Sequence, residues 1–218
     1  MSTYRALKGY SVKKVASDPS NTQRGQIWYN STTRQIKFIG NVGGVFASGG
    51  NLNTARWNSR ATVGTQTAGV VFGGSNAPGG ILAETEEYDG TSWTEVTDMP
   101  TVTTGNGGGG IQTAAFSSGG NTPTDTRENF TFNYDGTNWT TSGDLPFISG
   151  QAAACGTQTA GVHCGGTQNP GNNKTNKTAE YDGSSWTDRG NFPINISYHA
   201  MAGTQTAALL GMMIKFDG

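Results

Sequence analysis

"GTQTAGVVFGG", Gly64–Gly74, decides the fold, because the chain writes it again. "GTQTAGVHCGG" spans Gly156–Gly166, "GIQTAAFSSGG" starts at Gly110 and "GTQTAALLG" at Gly203, so the starts lie 46, 46 and 47 residues apart. A second phrase keeps the same period: "EEYDGTSWTEV" around Tyr88, "FNYDGTNWTTS" around Tyr134 and "AEYDGSSWTDR" around Tyr181. Self-similarity at such a period is the mark of a repeat architecture, in which each unit buries its apolar face on the next. Each unit reads as a strand, a GTQT turn, an apolar strand ending in Gly-Gly and a variable loop. A strand ending in Tyr-Asp-Gly and a strand opening on Trp complete it.

The joints agree with this reading. Asp89-Gly90, Asp135-Gly136 and Asp182-Gly183 are hairpin signals, since Gly takes positive φ without a Cβ clash. The strands are short and rich in Val, Thr, Tyr and Trp. Pro100, Pro146 and Pro193 each come seven residues after a Trp and mark the exit from one unit to the next. No segment keeps helical periodicity beyond two turns. Four antiparallel strands in about 45 residues is the arithmetic of a propeller blade. The order of apolar strand, Gly-Gly, loop, Tyr-Asp and Trp resembles the kelch motif over roughly residues 50 to 218. That resemblance implies an all-β, kelch-like β-propeller. Tyr88, Tyr134, Tyr181, Trp93, Trp139 and Trp186 read as packing between blades.

Three units are whole, at about 59–98, 105–144 and 151–190. A fourth starts at Tyr198 and ends on Phe216-Asp217-Gly218 without a Trp strand. "IKFIGNVGGVFASGGNLN" (Ile36–Asn53) reads as its missing half, with Phe38 for the Tyr and Phe46 for the Trp. The expectation is four blades of four antiparallel strands, the last made of 198–218 plus 36–50, which would cover an open sheet edge. Joining of chains into a larger ring is the other option. The domain reading is an N-terminal attachment arm, 1–24, and a propeller, 25–218. The arm carries Arg5, Lys8, Lys13, Lys14 and Arg24 against Asp18 alone, a charge suited to an acidic partner surface. A probable hairpin around Asn30–Thr33 follows it.

The chain has 218 residues, 33% hydrophobic and 13% charged, with 34 glycines and net charge −1. Glycine without a Gly-X-Y period excludes collagen. The charge balance gives no basic stripe for nucleic acid, and no apolar run reaches 18 residues, so no membrane insertion is expected. The N-terminus lacks the apolar stretch of a secretory signal.

"GQIWYNSTTRQIKFIG", then "GGNLNTARW", then the GTQTA units, resembles virion proteins of marine tailed bacteriophages, cyanophages among them, including tail-fibre and decoration proteins. The resemblance covers nearly the whole chain. It implies a non-enzymatic virion component, a tail or tail-fibre-associated protein contributing to host attachment, or a capsid or tail decoration protein. The implied partners are other virion proteins, a host surface glycan or receptor, and further copies of the chain.

Signals for chemistry are weak. His163 and His199 are the two histidines, neither at metal-ligand spacing, and there is no Cys-x-x-Cys; no cofactor or metal is expected. Copper oxidases of the kelch type need more histidines than this. The Asp-Gly-Thr-Ser-Trp runs are similar to sialidase Asp boxes, but Asp89 stands four residues before Trp93 rather than five. A glycan-active, sialidase- or glycosidase-like propeller enzyme is the alternative of another class, with Glu84, Glu86, Asp125 and Glu128 near loop ends as its carboxylates. Cys155 and Cys164, on either side of a GTQTA turn, are expected about 13 Å apart along the strands and free. The units differ most after each Gly-Gly, at 75–84, 121–129 and 167–178. Those loops are either solvated connectors or one binding face. Asn76, Asn121, Thr124, Arg127, Asn169, Asn172, Lys174 and Lys177 are its candidate residues.

Overall fold

The computed structural model describes residues 12–20, 26–38, 48–59, 61–169 and 173–211. It divides into two compact units, Met1–Ser48 and Gly49–Gly218, so the division falls later than the 24/25 boundary drawn from charge. No helix occurs among the described residues.

The first unit is a three-stranded sheet of β1 (Lys13–Val15), β2 (Ile27–Asn30) and β3 (Gln35–Phe38). β1 runs parallel to β2, with Lys13 opposite Trp28 and Lys14 opposite Tyr29. Two of the five expected arm cations, Lys13 and Lys14, are therefore strand residues; Arg5, Lys8 and Arg24 lie outside the described residues. The lone acid organises this sheet. Asp18 accepts from Trp28 Nε1 at 3.0 Å, Asn30 Nδ2 at 2.8 Å and Lys37 Nζ at 2.6 Å. Those three contacts, the Lys37 bond foremost, hold its carboxyl down at about 2.

The second unit repeats one sheet. In the first repeat, β4 (Thr62–Thr65), β5 (Ala68–Phe72), β8 (Thr85–Tyr88) and β9 (Trp93–Val96) form an antiparallel sheet, with β6 (Ser75–Asn76) and β7 (Gly80–Ile81) as a small hairpin in its loop. The second is β10 (Gly107–Ile111), β11 (Ala114–Asn121), β12 (Arg127–Tyr134) and β13 (Trp139–Thr141). The third is β14 (Ala153–Thr157), β15 (Ala160–Cys164), β17 (Asn173–Tyr181) and β18 (Trp186–Ile196), with β16 (Thr167–Gln168) on the far part of β17. The fourth is a hairpin, β19 (Ala200–Thr204) and β20 (Ala207–Gly211). Its expected completion needs 39–47 and 212–218, which lie outside the described residues. Among the described strands β3 pairs with β2, and β20 with β19.

The repeated phrase is a two-residue turn. Thr65 pairs with Ala68, Ile111 with Ala114, Thr157 with Ala160 and Thr204 with Ala207. Its leading Gly is a strand residue of positive φ, +107° at Gly64, and a Cβ there would run into the Ala68 carbonyl. The Tyr-Asp-Gly phrase closes the outer hairpin. Asp89 Oδ1 accepts the amides of Thr91 and Ser92, both at 2.8 Å, and Asp135 and Asp182 repeat the pattern. These bonds lower all three carboxyls and explain why Asp, which can accept two amides, holds the position.

The inner strands adjoin in series: β4 beside β10, β10 beside β14 and β14 beside β19. The approach is close because β10 is nearly all Gly; a Cβ on Gly108 would sit 2.7 Å from that of Ala61. The four inner strands line one cavity of about 280 Å³. Between consecutive sheets lie two cores. Phe72, Val70 and Met99 meet Ala115, Tyr134 and Trp139 in the first; Phe116 and Leu145 meet Ala154, Tyr181 and Trp186 in the second. Within a sheet each Tyr faces its Trp across the strands, as Tyr134 and Trp139 do at 4.9 Å between ring centroids. Across sheets the indole reaches back, Trp139 Nε1 to Thr85 Oγ1 at 3.1 Å and Trp186 Nε1 to Thr131 Oγ1 at 2.9 Å. Tyr134 and Tyr181 are fully buried, Trp139 and Trp186 nearly so, and Tyr88 and Trp93 half-buried.

Gln supplies the remaining stitch. Gln112 Nε2 donates to the carbonyls of Gly69 and Tyr88, both at 3.1 Å. Gln158 does the same to Ala115 and Tyr134, and Gln205 to Gly161 and Tyr181. The turn of one repeat thus clips the ends of two strands of the repeat before it.

Candidate functional site

Each repeat is entered through a connector, and the connectors meet at one end of the second unit. Trp57 makes an isolated bridge with Ser75, Thr104 with Asn121 and Gly150 with Thr167. Each of these residues sits where a connector crosses the strand that leaves the Gly-Gly pair of its own sheet. The residue after each crossing has positive φ: Asn58 at +55°, Gly105 at +66° and Gln151 at +56°. Tyr198, at +57°, holds the same place before the fourth repeat. Asn and Gly take that conformation readily, whereas a bulky aromatic there is an outlier of the kind that collects at functional sites.

These connectors and two of the variable loops enclose a cavity of about 660 Å³, within the range of about 300–1,000 Å³ usual for ligand sites. The connectors contribute Trp57, Asn58, Thr104, Gln151 and Tyr198. The loop of the first repeat contributes Ser75, Gly79 and Ile81; that of the second contributes Asn121, Thr122, Pro123 and Asp125. The floor is tied together, with Thr104 Oγ1 accepting from Asn58 Nδ2 and Ser75 Oγ at 3.0 Å each. Trp57 is 59% exposed and Tyr198 49%, unlike the packed aromatics of the repeat. Asp125 is the sole charged group among the described lining residues.

Few expected loop residues reach this site. Asn121 lines it, buried, with Nδ2 toward Asp125 Oδ1 at 3.3 Å. Asn76 is half-buried in β6, and Thr124 is exposed beside the rim but does not line the cavity. Arg127 is buried, not offered to a ligand. Its Nε donates to Thr167 Oγ1, its Nη1 to the Asp125 carbonyl and Asn169 Oδ1, and Asp125 Oδ2 lies 3.1 Å away. Lys174 is exposed on β17, and Lys177 lays its ammonium over the Phe147 ring at 5.4 Å. Asn172 lies outside the described residues. Trp57 and Tyr198 carry a signal that register alone reveals. Where the repeat puts Thr104, Gly150 and Ser197, the first connector has Trp57, and where it puts Asn58, Gly105 and Gln151, the fourth has Tyr198.

The other groups of chemical interest are structural. Glu86, expected near a loop end, is wholly buried against Arg56 Nη2 at 2.6 Å. Burial pushes its pKa up, but the amides of Asn53 and Thr54 and the Arg56 guanidinium outweigh it, so it stays ionised. His163 sits between Ser118 Oγ at 2.9 Å and Ser149 Oγ at 3.1 Å. Burial, then the nearby His199, brings its pKa down to about 3, so it is neutral. Both cysteines are free and buried. The turn is centred on Gln158 and Thr159, which puts Cys155 opposite Val162 and Cys164 opposite Ala153. That is one diagonal step, roughly 7–8 Å, nearer than expected but beyond disulfide reach. Burial and the neighbouring Cys155 raise Cys164 to about 11. Among the described residues no group of three or more His, Cys, Asp or Glu could hold a metal ion.

No family model matches the chain, and no curated protein matches it. Among solved structures it is similar to YjhT, a β-propeller-like protein, with 12% identity and a TM-score of 0.61. The fold is all-β and β-propeller-like. The alignment covers 84% of this chain and 66% of YjhT, so the chain spans about two thirds of that structure. At this identity the likeness speaks for fold alone, and it supports treating each repeated sheet as a blade.

Proposed function

We propose that this chain is a non-enzymatic structural and binding component of a bacteriophage virion, a tail or tail-fibre-associated protein that contributes to host attachment. The observation that carries the binding part is the cavity where four connectors converge, with two exposed aromatics held on rigid backbone. Loops on a rigid scaffold are where recognition residues concentrate. Paired-carboxylate hydrolysis uses two acids, and the described lining offers Asp125 alone; binding is the chemistry this lining supports. The virion part rests on the order of the N-terminal motifs and the GTQTA units. The finer fold reading is a kelch-like ring of four blades, the fourth completed by residues 36–50. The repeat order supports it, and it requires the seam between the first and fourth blades to close.

Immunogold electron microscopy of intact particles tests the assignment. Label is expected at the tail or its fibres; particles without label would contradict it. For attachment, removing residues 1–11 spares β1 and Asp18, and incorporation is expected to fall. Undiminished incorporation would rule out the arm. Removing Met212–Gly218 is expected to lower the melting temperature if those residues close the ring, and an unchanged value would count against closure.

A further inference from the structure

We propose that the connector cavity binds a neutral saccharide, with Trp57 and Tyr198 as stacking platforms for the apolar face of a pyranose ring. The inference rests on the attachment reading above and names its ligand class.

The first argument is the departure from the repeat. The connectors are built alike, yet two of them replace small or polar residues with large aromatics, and both aromatics face the same cavity half-exposed. Tyr198 additionally holds a left-handed conformation that disfavours bulky side chains. Its backbone is fixed by its N–H donating to the Gln151 carbonyl at 3.0 Å, as Trp57 is fixed by paired bonds to Ser75 at 2.7 and 2.8 Å. Both rings are therefore presented from rigid positions.

The second argument is the polar complement. The polar lining is amides and hydroxyls, Asn58, Asn121, Thr122 and Gln151, with the exposed carboxylate of Asp125 at the rim. Vicinal sugar hydroxyls need that mixture. Asn121 Oδ1 is buried beside Gly150 with no hydrogen-bond partner, so the rim of the cavity holds an unsatisfied acceptor.

Charge then decides the class. No Lys or Arg is among the described lining residues, and Asp125, the one acid there, is paired with Arg127 Nη1 at 3.1 Å. Arg127 itself is buried, with Nε on Thr167 and Nη1 on Asn169 and the Asp125 carbonyl. With Asp125 balanced by a buried Arg127, the described lining offers an acidic sugar no cation of its own, so the ligand is a neutral hexose or a glycan ending in one.

The test uses the full chain against methyl glycosides of glucose and galactose, a neutral glycan array and 3′-sialyllactose. Binding is read by saturation-transfer NMR and by Trp fluorescence. The variants are Trp57→Thr and Tyr198→Asn, which install the residues of sister connectors and so keep the fold, as an unchanged melting temperature will confirm. At least one neutral glycan is expected to bind, sialyllactose more weakly, and each variant is expected to lose tenfold or more in affinity. Absence of saccharide binding, binding confined to acidic glycans, or affinity unchanged in both variants would overturn the proposal. Labelled protein that adheres to host cells but is not displaced by any saccharide would also overturn it, while leaving the attachment reading intact.

Discussion

Gln158 shows how one side chain of the repeated phrase does two jobs. Its backbone makes the turn, and its amide clips two carbonyls of the preceding blade. Each such bond contributes roughly 0.5–1.5 kcal/mol net, so Gln158→Ala is expected to cost about 1–3 kcal/mol in urea unfolding. An unfolding free energy equal to the parent's would show that the clip contributes nothing. His163 gives a second residue-scale prediction. Its folded pKa, about 3, lies below its ordinary 6.5, so below pH 6.5 the unfolded chain takes up a proton that the native state refuses. The stability from this site is complete above pH 6.5 and is lost as pH falls toward 3, with a slope of up to about 1.4 kcal/mol per pH unit. His163→Gln is expected to flatten that dependence, read as unfolding free energy at pH 7, 5.5 and 4. A variant as acid-sensitive as the parent would refute the assignment.

At the scale of elements, the segment before β4 does the work of a blade exit. Gly50 lies against Thr91 and Ser92 as Gly143 lies against Ser184 and Ser185, and Trp93 Nε1 donates to the Gly50 carbonyl at 3.1 Å. Arg56 and Glu86 lock this segment to β8 in a pair that is 1% and 0% exposed. Removing one partner leaves a buried charge, so Arg56→Ala is expected to cost about 3–5 kcal/mol, and Arg56→Met with Glu86→Leu to recover most of it. Thermal denaturation of the single and double variants decides this, and equal losses would mean that packing, not charge, sets the cost. The element plan was legible because period, Gly-Gly and Tyr-Asp-Gly all agree along the sequence. Register was less so. Gly64 and its equivalents look like turn residues but remain paired in the strand, Gly64 opposite Gly69, and the turn is centred on the Gln and Thr after them, which brings Cys155 nearer to Cys164 than the sequence suggests. Glu86 was read as a loop-end charge because its partner, Arg56, lies 30 positions away outside the repeat.

For the whole molecule, the scaffold could be read from sequence and the site could not. Blades repeat, and repetition is visible in one dimension; a mouth forms only when connectors from different repeats converge in three. The variable loops drew attention because they differ, yet Arg127 went inward to tie two loops together and Lys177 covered an aromatic ring. Trp57 and Tyr198 sit in the connectors, the first of which is one residue longer than the others, so alignment by bridge position is what exposes them as departures. Under the proposed function, this mouth, on a propeller-like scaffold, attaches a particle to its host. Competition for adsorption tests it most directly: host cells are incubated with particles and excess purified chain. The parent chain is expected to slow adsorption in proportion to its concentration, while the Trp57→Thr, Tyr198→Asn double variant leaves it unchanged. Adsorption indifferent to the parent chain, or slowed equally by both proteins, would contradict the claim.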